Sequence, residues 1–168
     1  MLAPAPMRLA TAADVPALAA LYADTARKLG SWCYGPEQVA AWASFGADTP
    51  AFRDYVLHAT TWVAVAADGP PHLPLGFCGA GADGEVHSLY VSASHTRQGL
   101  GSRLLQHALG HARAQGQQRF AAWVTPFSRP VFERAGFVLT QTVSEPYQGV
   151  VFTRYRVALG ATLGVLSG

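Results

Sequence analysis

Leu89-Tyr90-Val91-Ser92-Ala93-Ser94-His95-Thr96-Arg97-Gln98-Gly99-Leu100-Gly101-Ser102 reads as the end of a strand, a polar loop and the first turn of a long helix. Before it, Glu85-Val86-His87-Ser88 follows an Asp83-Gly84 turn and alternates polar with apolar side chains, the period of a half-buried strand. After it, residues 99–115 are rich in Leu, Ala and Arg, and Leu100, Leu104, Leu105, Ala108 and Ala112 fall on one helical face. A strand that feeds a glycine-bearing loop at a helix N-terminus makes an anion site. The first backbone N–H groups of the helix have no internal partner and its dipole favours negative charge there. Gly99 and Gly101 would admit a phosphate without a Cβ in the way. Alone, a Gly-x-Gly at a helix start is a weak signal and reads first as a tight turn that merely packs helix on strand.

Toward the N-terminus, residues 61–66 and 75–80 read as a strand pair about the Asp68-Gly69 turn and its two prolines. Residues 8–10 suit a short first strand, and Thr11 an N-cap, with Asp14 three residues on completing a partial capping box. Val15, Leu18, Leu21, Tyr22, Thr25 and Leu29 then recur at helical spacing up to Gly30, a C-terminal signal. Pro36 opens a further helix with Val39, Trp42 and Phe45 on one face, and a short helix covers 50–58. Toward the C-terminus, 119–124 reads as a strand, 129–135 as a helix ended by Gly136, and 137–143 and 149–159 as strands. Strands first and last with helices between them predict a mixed sheet covered by helices.

At 168 residues, half of them hydrophobic, the chain is expected to form one domain over 1–168, with 1–6 and 160–168 as tails. Charged residues make up 13% and net charge is +2, too little basicity for a nucleic-acid partner. Residues 1–6 lack the charged and apolar regions of a signal peptide, and no run reaches membrane-spanning length, so a soluble cytoplasmic protein is expected. Cys33 and Cys78 fit neither metal-ligand spacing nor a disulfide framework and read as small buried hydrophobes.

The opening stretch resembles motif A of the GNAT superfamily, whose pattern is Gln or Arg, two residues, Gly, one residue, then Gly or Ala. Gly99 and Gly101 fit that pattern, while Thr96 stands where Gln or Arg is usual. Pro130-Val131-Phe132-Glu133-Arg134-Ala135-Gly136-Phe137 is similar to the aromatic-Glu-x-x-Gly-Phe signature of the same enzymes. Looser similarity runs from Arg8 and Asp14 through Tyr34, Gln38 and Trp42 to Gly149-Val150, and resembles a bacterial subgroup of N-acetyltransferases. The resemblance implies an α/β (α+β) GNAT fold, a central twisted mixed sheet of about six or seven strands flanked by about four helices. It further implies direct transfer of an acetyl group from acetyl-CoA to an amine of a small molecule or protein, with no metal and no acyl-enzyme. On that reading the backbone of Leu89, Tyr90 and Val91 holds the acetyl carbonyl and pantetheine arm. Arg97, Gln98, Gly99, Leu100, Gly101 and Ser102 cradle the pyrophosphate with Thr96 beside them, and Phe132 packs near the thiol.

An ammonium has no lone pair, so transfer to an amine needs a group or a water to accept a proton. Glu85, fourteen positions before Gly99, lies where some GNAT enzymes carry a general base; otherwise it is a solvated strand-start residue. His87, two residues on, should share its face and either relay a proton or sit satisfied in the cleft. The family's tyrosine acid is replaced by Phe132, which leaves Tyr90, Ser128, water or unassisted thiolate departure. Trp32 and Tyr34, with Trp42 and Tyr147, are candidates for an acceptor pocket, the alternative being plain packing. Two other functions compete: a CoA-binding GNAT module that has lost turnover, suggested by Phe132 and Thr96, and a dinucleotide-binding domain. The second fares badly, because a third glycine and a Lys-Ser/Thr pair are missing. The apolar chain ends would suit a homodimer.

Overall fold

The computed structural model describes residues 4–70 and 73–160. Four antiparallel strands, β1 (Met7–Leu9), β2 (Thr60–Val65), β3 (Pro74–Ala80) and β4 (Val86–Val91), form one sheet in sequence order. Three more, β5 (Phe120–Val124), β6 (Val138–Tyr147) and β7 (Val150–Leu159), form a second in the order β5-β7-β6. The expected mixed sheet is therefore two antiparallel sheets, and their parallel contact is the isolated bridge Glu85–Ala121, where the Ala121 N–H donates to the Gly84 carbonyl at 3.1 Å. Beyond that bridge β4 and β5 lie in different sheets, and the space between them is the cleft described below.

Among the described residues, five α-helices cover the strands: α1 (Val15–Leu29), α2 (Pro36–Ser44), α3 (Pro50–Leu57), α4 (Leu100–Ala114) and the six-residue α5 (Arg129–Arg134). One apolar cluster joins Leu100, Leu104, Leu105 and Leu109 of α4 to Cys78, Val86, Phe120, Ala122 and Val157. The other joins Val15, Leu18 and Tyr22 of α1 to Trp42, Phe52, Val63, Phe77 and Phe152. β3, whose seven residues are all buried, contributes to both, the behaviour of a strand covered on each face. The α4 stripe is completed by Leu109, with Ala112 only partly buried against it.

Local signals explain most boundaries. The Asp14 carboxylate accepts from the Thr11 N–H at 2.7 Å and from both terminal nitrogens of Arg8 at 2.7 and 2.8 Å, which ties β1 to the turn before α1. Thr49 caps α3, its hydroxyl accepting from the Phe52 N–H at 3.2 Å. Gly30 differs from expectation: its φ of −60° continues the helical path into a 3-10 turn at Gly30–Trp32 instead of ending it. A Cβ there would stand 3.0 Å from Val39 Cγ2 and 3.3 Å from the Trp42 ring, so glycine serves the close approach of α1 and α2. The expected N-terminal tail is held from Ala5, whose carbonyl accepts from Arg103 at 3.1 Å, while the Pro6 carbonyl accepts from the Val65 N–H at 3.0 Å. Residues 1–3 and 161–168, the rest of the expected tails apart from Pro4 and Gly160, lie outside the described residues.

Candidate active site

A cleft of about 640 Å³ runs from the β4–α4 loop between β4 and β5 to the segment that follows α1. At its α4 end the cleft meets the N-terminus of that helix. Gly99 sits at φ 77°, a left-handed conformation that costs glycine least, and turns the chain into α4. Helix geometry then leaves the first N–H groups of α4 without intrahelical acceptors. Gly101 borders the cleft, and a Cβ on it would meet Val91 Cγ2 at 3.6 Å and Val131 Cγ1 at 3.9 Å.

Ahead of that turn, two of the loop's side chains bond to its own backbone. Thr96 Oγ1 donates to the Ala93 carbonyl at 3.1 Å, and Gln98 Nε2 to the Ser94 carbonyl at 3.4 Å. Arg97 takes a left-handed φ of 60°, and its guanidinium lies 5.2 Å from the centre of the Trp32 ring. Of the residues assigned to the cofactor from sequence, Leu89, Tyr90, Val91, Thr96, Arg97, Gly99, Leu100, Gly101, Ser102 and Phe132 line the cleft. Gln98 does not, because its amide turns back to Ser94.

The candidate bases part company. Both Glu85 oxygens accept from Arg156, Oε2 at 2.8 Å, and this carboxylate stands outside the cleft lining. His87 lines the cleft and is exposed to solvent. A register shift separates them from simple alternation: Ala80 pairs with Val86 and Gly79 with Ser88, so His87 is the extra residue of a bulge. Its carbonyl accepts from the Tyr55 hydroxyl at 3.0 Å, and no hydrogen bond among the described residues joins it to Glu85. Past the bulge, Leu89 and Val91 pack toward α4 while Tyr90 packs toward α1.

Phe132 is buried edge-on against Phe137, with ring centres 5.1 Å apart, and has no proton to give. The Tyr90 hydroxyl accepts from Trp42 Nε1 at 3.3 Å, and burial raises its pKa, so it stays protonated at neutral pH. Ser128 exchanges hydrogen bonds with Thr125: Thr125 N–H to Ser128 Oγ at 3.1 Å, and Ser128 N–H to Thr125 Oγ1 at 3.1 Å. Cys33 lines the cleft, but burial pushes its thiol upward, away from the thiolate form a nucleophile needs.

Trp32, 62% exposed, forms part of the cleft and meets Phe127 edge-on at 6.1 Å. Tyr34 lies behind the lining, its ring 5.7 Å from Trp42 and 5.2 Å from Phe152, and braces Trp42. Trp123 and Phe127, which no motif in the sequence marks, also line the cleft. The Thr125-x-x-Ser128 turn ahead of Pro130, a reciprocal cap that holds the loop between β5 and α5, was the available signal for them.

The sequence pattern of the acetyltransferase (GNAT) domain family matches residues 33–159. The chain therefore belongs to the GNAT acetyltransferases and is an acyltransferase of the N-acetyltransferase kind. It is 25% identical over 142 residues to YafP, an uncharacterized N-acetyltransferase of Escherichia coli strain K12, covering 84% of this chain and 87% of that protein. A GCN5-related N-acetyltransferase from Rhodopseudomonas palustris has the same fold, with TM-score 0.86 and 20% identity over 95% of this chain and 97% of the other. PaiA N-acetyltransferase from Thermoplasma acidophilum, solved in complex with coenzyme A, superposes with TM-score 0.71 at 14% identity, covering 92% of this chain and 97% of that one. No helix among the described residues is long and apolar enough to cross a membrane.

Proposed function

We propose that the protein binds acetyl-CoA in the cleft between β4 and β5 and transfers the acetyl group directly to an amine. The observation that carries the proposal is the junction of that cleft with the α4 N-terminus at Gly99, which puts backbone donors at one end of an apolar groove. Pyrophosphate oxygens would take the N–H groups of Leu100, Gly101 and Ser102, and the pantetheine arm would run beside Leu89 and Val91. The family resemblance and the coenzyme A complex of the Thermoplasma relative support this cosubstrate.

In the chemical step the neutral amine attacks the thioester carbonyl, a C–N bond forms, the C–S bond breaks and CoA leaves as its thiolate. The proton lost by the amine passes to His87 or to water held by it, since His87 is among the residues lining the cleft and Glu85 is occupied by Arg156. The thiolate needs no strong acid, because a thiol is only weakly basic in its ionised form.

Calorimetric titration with acetyl-CoA tests the site. Gly101→Glu puts a carboxylate between Val91 and Val131 in ordinary helical backbone, and should weaken binding at least about 100-fold. An unaltered affinity in that variant, or no binding by the wild type, would overturn the proposal. Release of CoA on adding an amine separates an enzyme from a module that only binds the cofactor.

A further inference from the structure

Where β4 bulges, two backbone groups are satisfied by side chains. Gly79 of β3 donates its N–H to Ser88 Oγ at 2.8 Å, and the His87 carbonyl accepts from the Tyr55 hydroxyl at 3.0 Å. The first bond lies inside the sheet: a Cβ on Gly79 would stand 3.0 Å from Ser88 Oγ and 2.8 Å from Thr61 Oγ1, so glycine leaves room for it. The second comes from α3, thirty-two residues earlier in the chain, and Tyr55 is not among the residues that line the cleft. Its ring meets Phe45 and Tyr22 edge-on, with ring centres 5.2 and 6.3 Å away. Next along α3, the Val56 carbonyl accepts from the Thr61 hydroxyl at 2.6 Å, which ties this end of the helix to β2. The Tyr55 hydroxyl thus reaches β4 from a fixed platform.

His87 faces no residue of β3, since Gly79 pairs with Ser88 and Ala80 with Val86. Without a partner across the ladder, the peptide that follows His87 is the part of the strand least constrained by the sheet. A rotation of that peptide changes ψ of His87 and φ of Ser88 together, and so re-aims both side chains. From this we infer that Tyr55 is a positioning residue for acetyl transfer: by holding the His87 carbonyl it fixes the bulge, and with it the direction from which His87 meets the cleft. The inference rests on the acetyltransferase reading above, in which His87 takes the proton of the amine, and adds to it a residue that stands outside the cleft.

Tyr55→Phe keeps the ring and removes only the hydroxyl. In proton NMR the Cε1–H signal of His87, identified by its loss in His87→Ala, should shift and broaden in Tyr55→Phe, while the signals of the other histidines stay in place. Acetyl-CoA affinity by calorimetry should stay within about twofold, the check that the cleft is intact. With benzylamine as the probe amine, kcat for CoA release should fall about tenfold and the amine KM stay within about twofold. Placed on His87→Ala, the same substitution should lower kcat no further. An unmoved His87 signal, or an equal loss of kcat with and without His87, would overturn the inference. If the wild type binds no acetyl-CoA, the acetyltransferase reading fails by itself. In that case, as where benzylamine is not acetylated, a shifted His87 signal supports the hold of Tyr55 on the bulge and an unmoved one overturns it.

Discussion

Both oxygens of Glu85 are committed to Arg156, whose guanidinium also stands over Trp123, so this carboxylate positions the cleft's edge and is poorly placed to take a proton from substrate. His87→Ala should therefore lower kcat about 100-fold, while Glu85→Gln keeps it within about tenfold. Steady-state CoA release measures both, and the reverse order would restore Glu85 as the base. Asp14 offers a second test at this scale. It is buried, and the Arg8 guanidinium with the Thr11 N–H holds its pKa at about 2, against 3.8 for an ordinary aspartate. With the folded value depressed, the unfolded chain takes up the proton first, so the stabilisation is complete above about pH 4 and lost as pH falls toward 2. Discounted for the half-exposed Arg8, it is worth about 1 to 2 kcal/mol. Urea unfolding between pH 2 and 6 should show that slope in the wild type and a flatter one in Asp14→Asn.

At the scale of elements, caps and turns were readable because their chemistry is local. The Thr11–Asp14 cap is one such device; the Thr49 hydroxyl at the start of α3 is a further cap that the structure adds, and Thr49→Ala should cost about 1 kcal/mol in urea unfolding without altering acetyl-CoA binding. β4 shows where local reading stops. Its alternating sequence predicts Glu85 and His87 on one face, yet the bulge opposite Gly79 and Ala80 inserts His87 as an unpaired residue. A bulge depends on the partner strand's register, which the alternation of β4 alone cannot report. The loop before α4 was legible as a glycine turn, but not that Gln98 would turn back to Ser94 while Arg97 reached Trp32.

For the whole molecule, the decisive joint is the bridge at Glu85 and Ala121, because the cleft's two walls belong to different sheets. Gly84 makes that joint possible. Its φ is 83°, and a Cβ there would stand 2.0 Å from the Arg119 carbonyl oxygen. Gly84→Ala should destabilise the fold by about 3 kcal/mol or more and weaken acetyl-CoA binding as the walls shift. Thermal unfolding and calorimetry would read the two effects, and a variant as stable as the wild type would remove this joint from the account.

By itself the sequence determined the order and type of nearly every element, the glycine turn into α4 and the family resemblance. The elements and the turn follow from side-chain period, caps and special backbone positions, and the resemblance from two short motifs, all set by residues a few places apart. Only the tertiary structure decided that Glu85 is held by Arg156, that Trp123 and Phe127 complete the cleft, and that Tyr34 stands behind it. These depend on strand register and on the meeting of two sheets, where partners lie dozens of residues apart and no local pattern encodes which side chains converge.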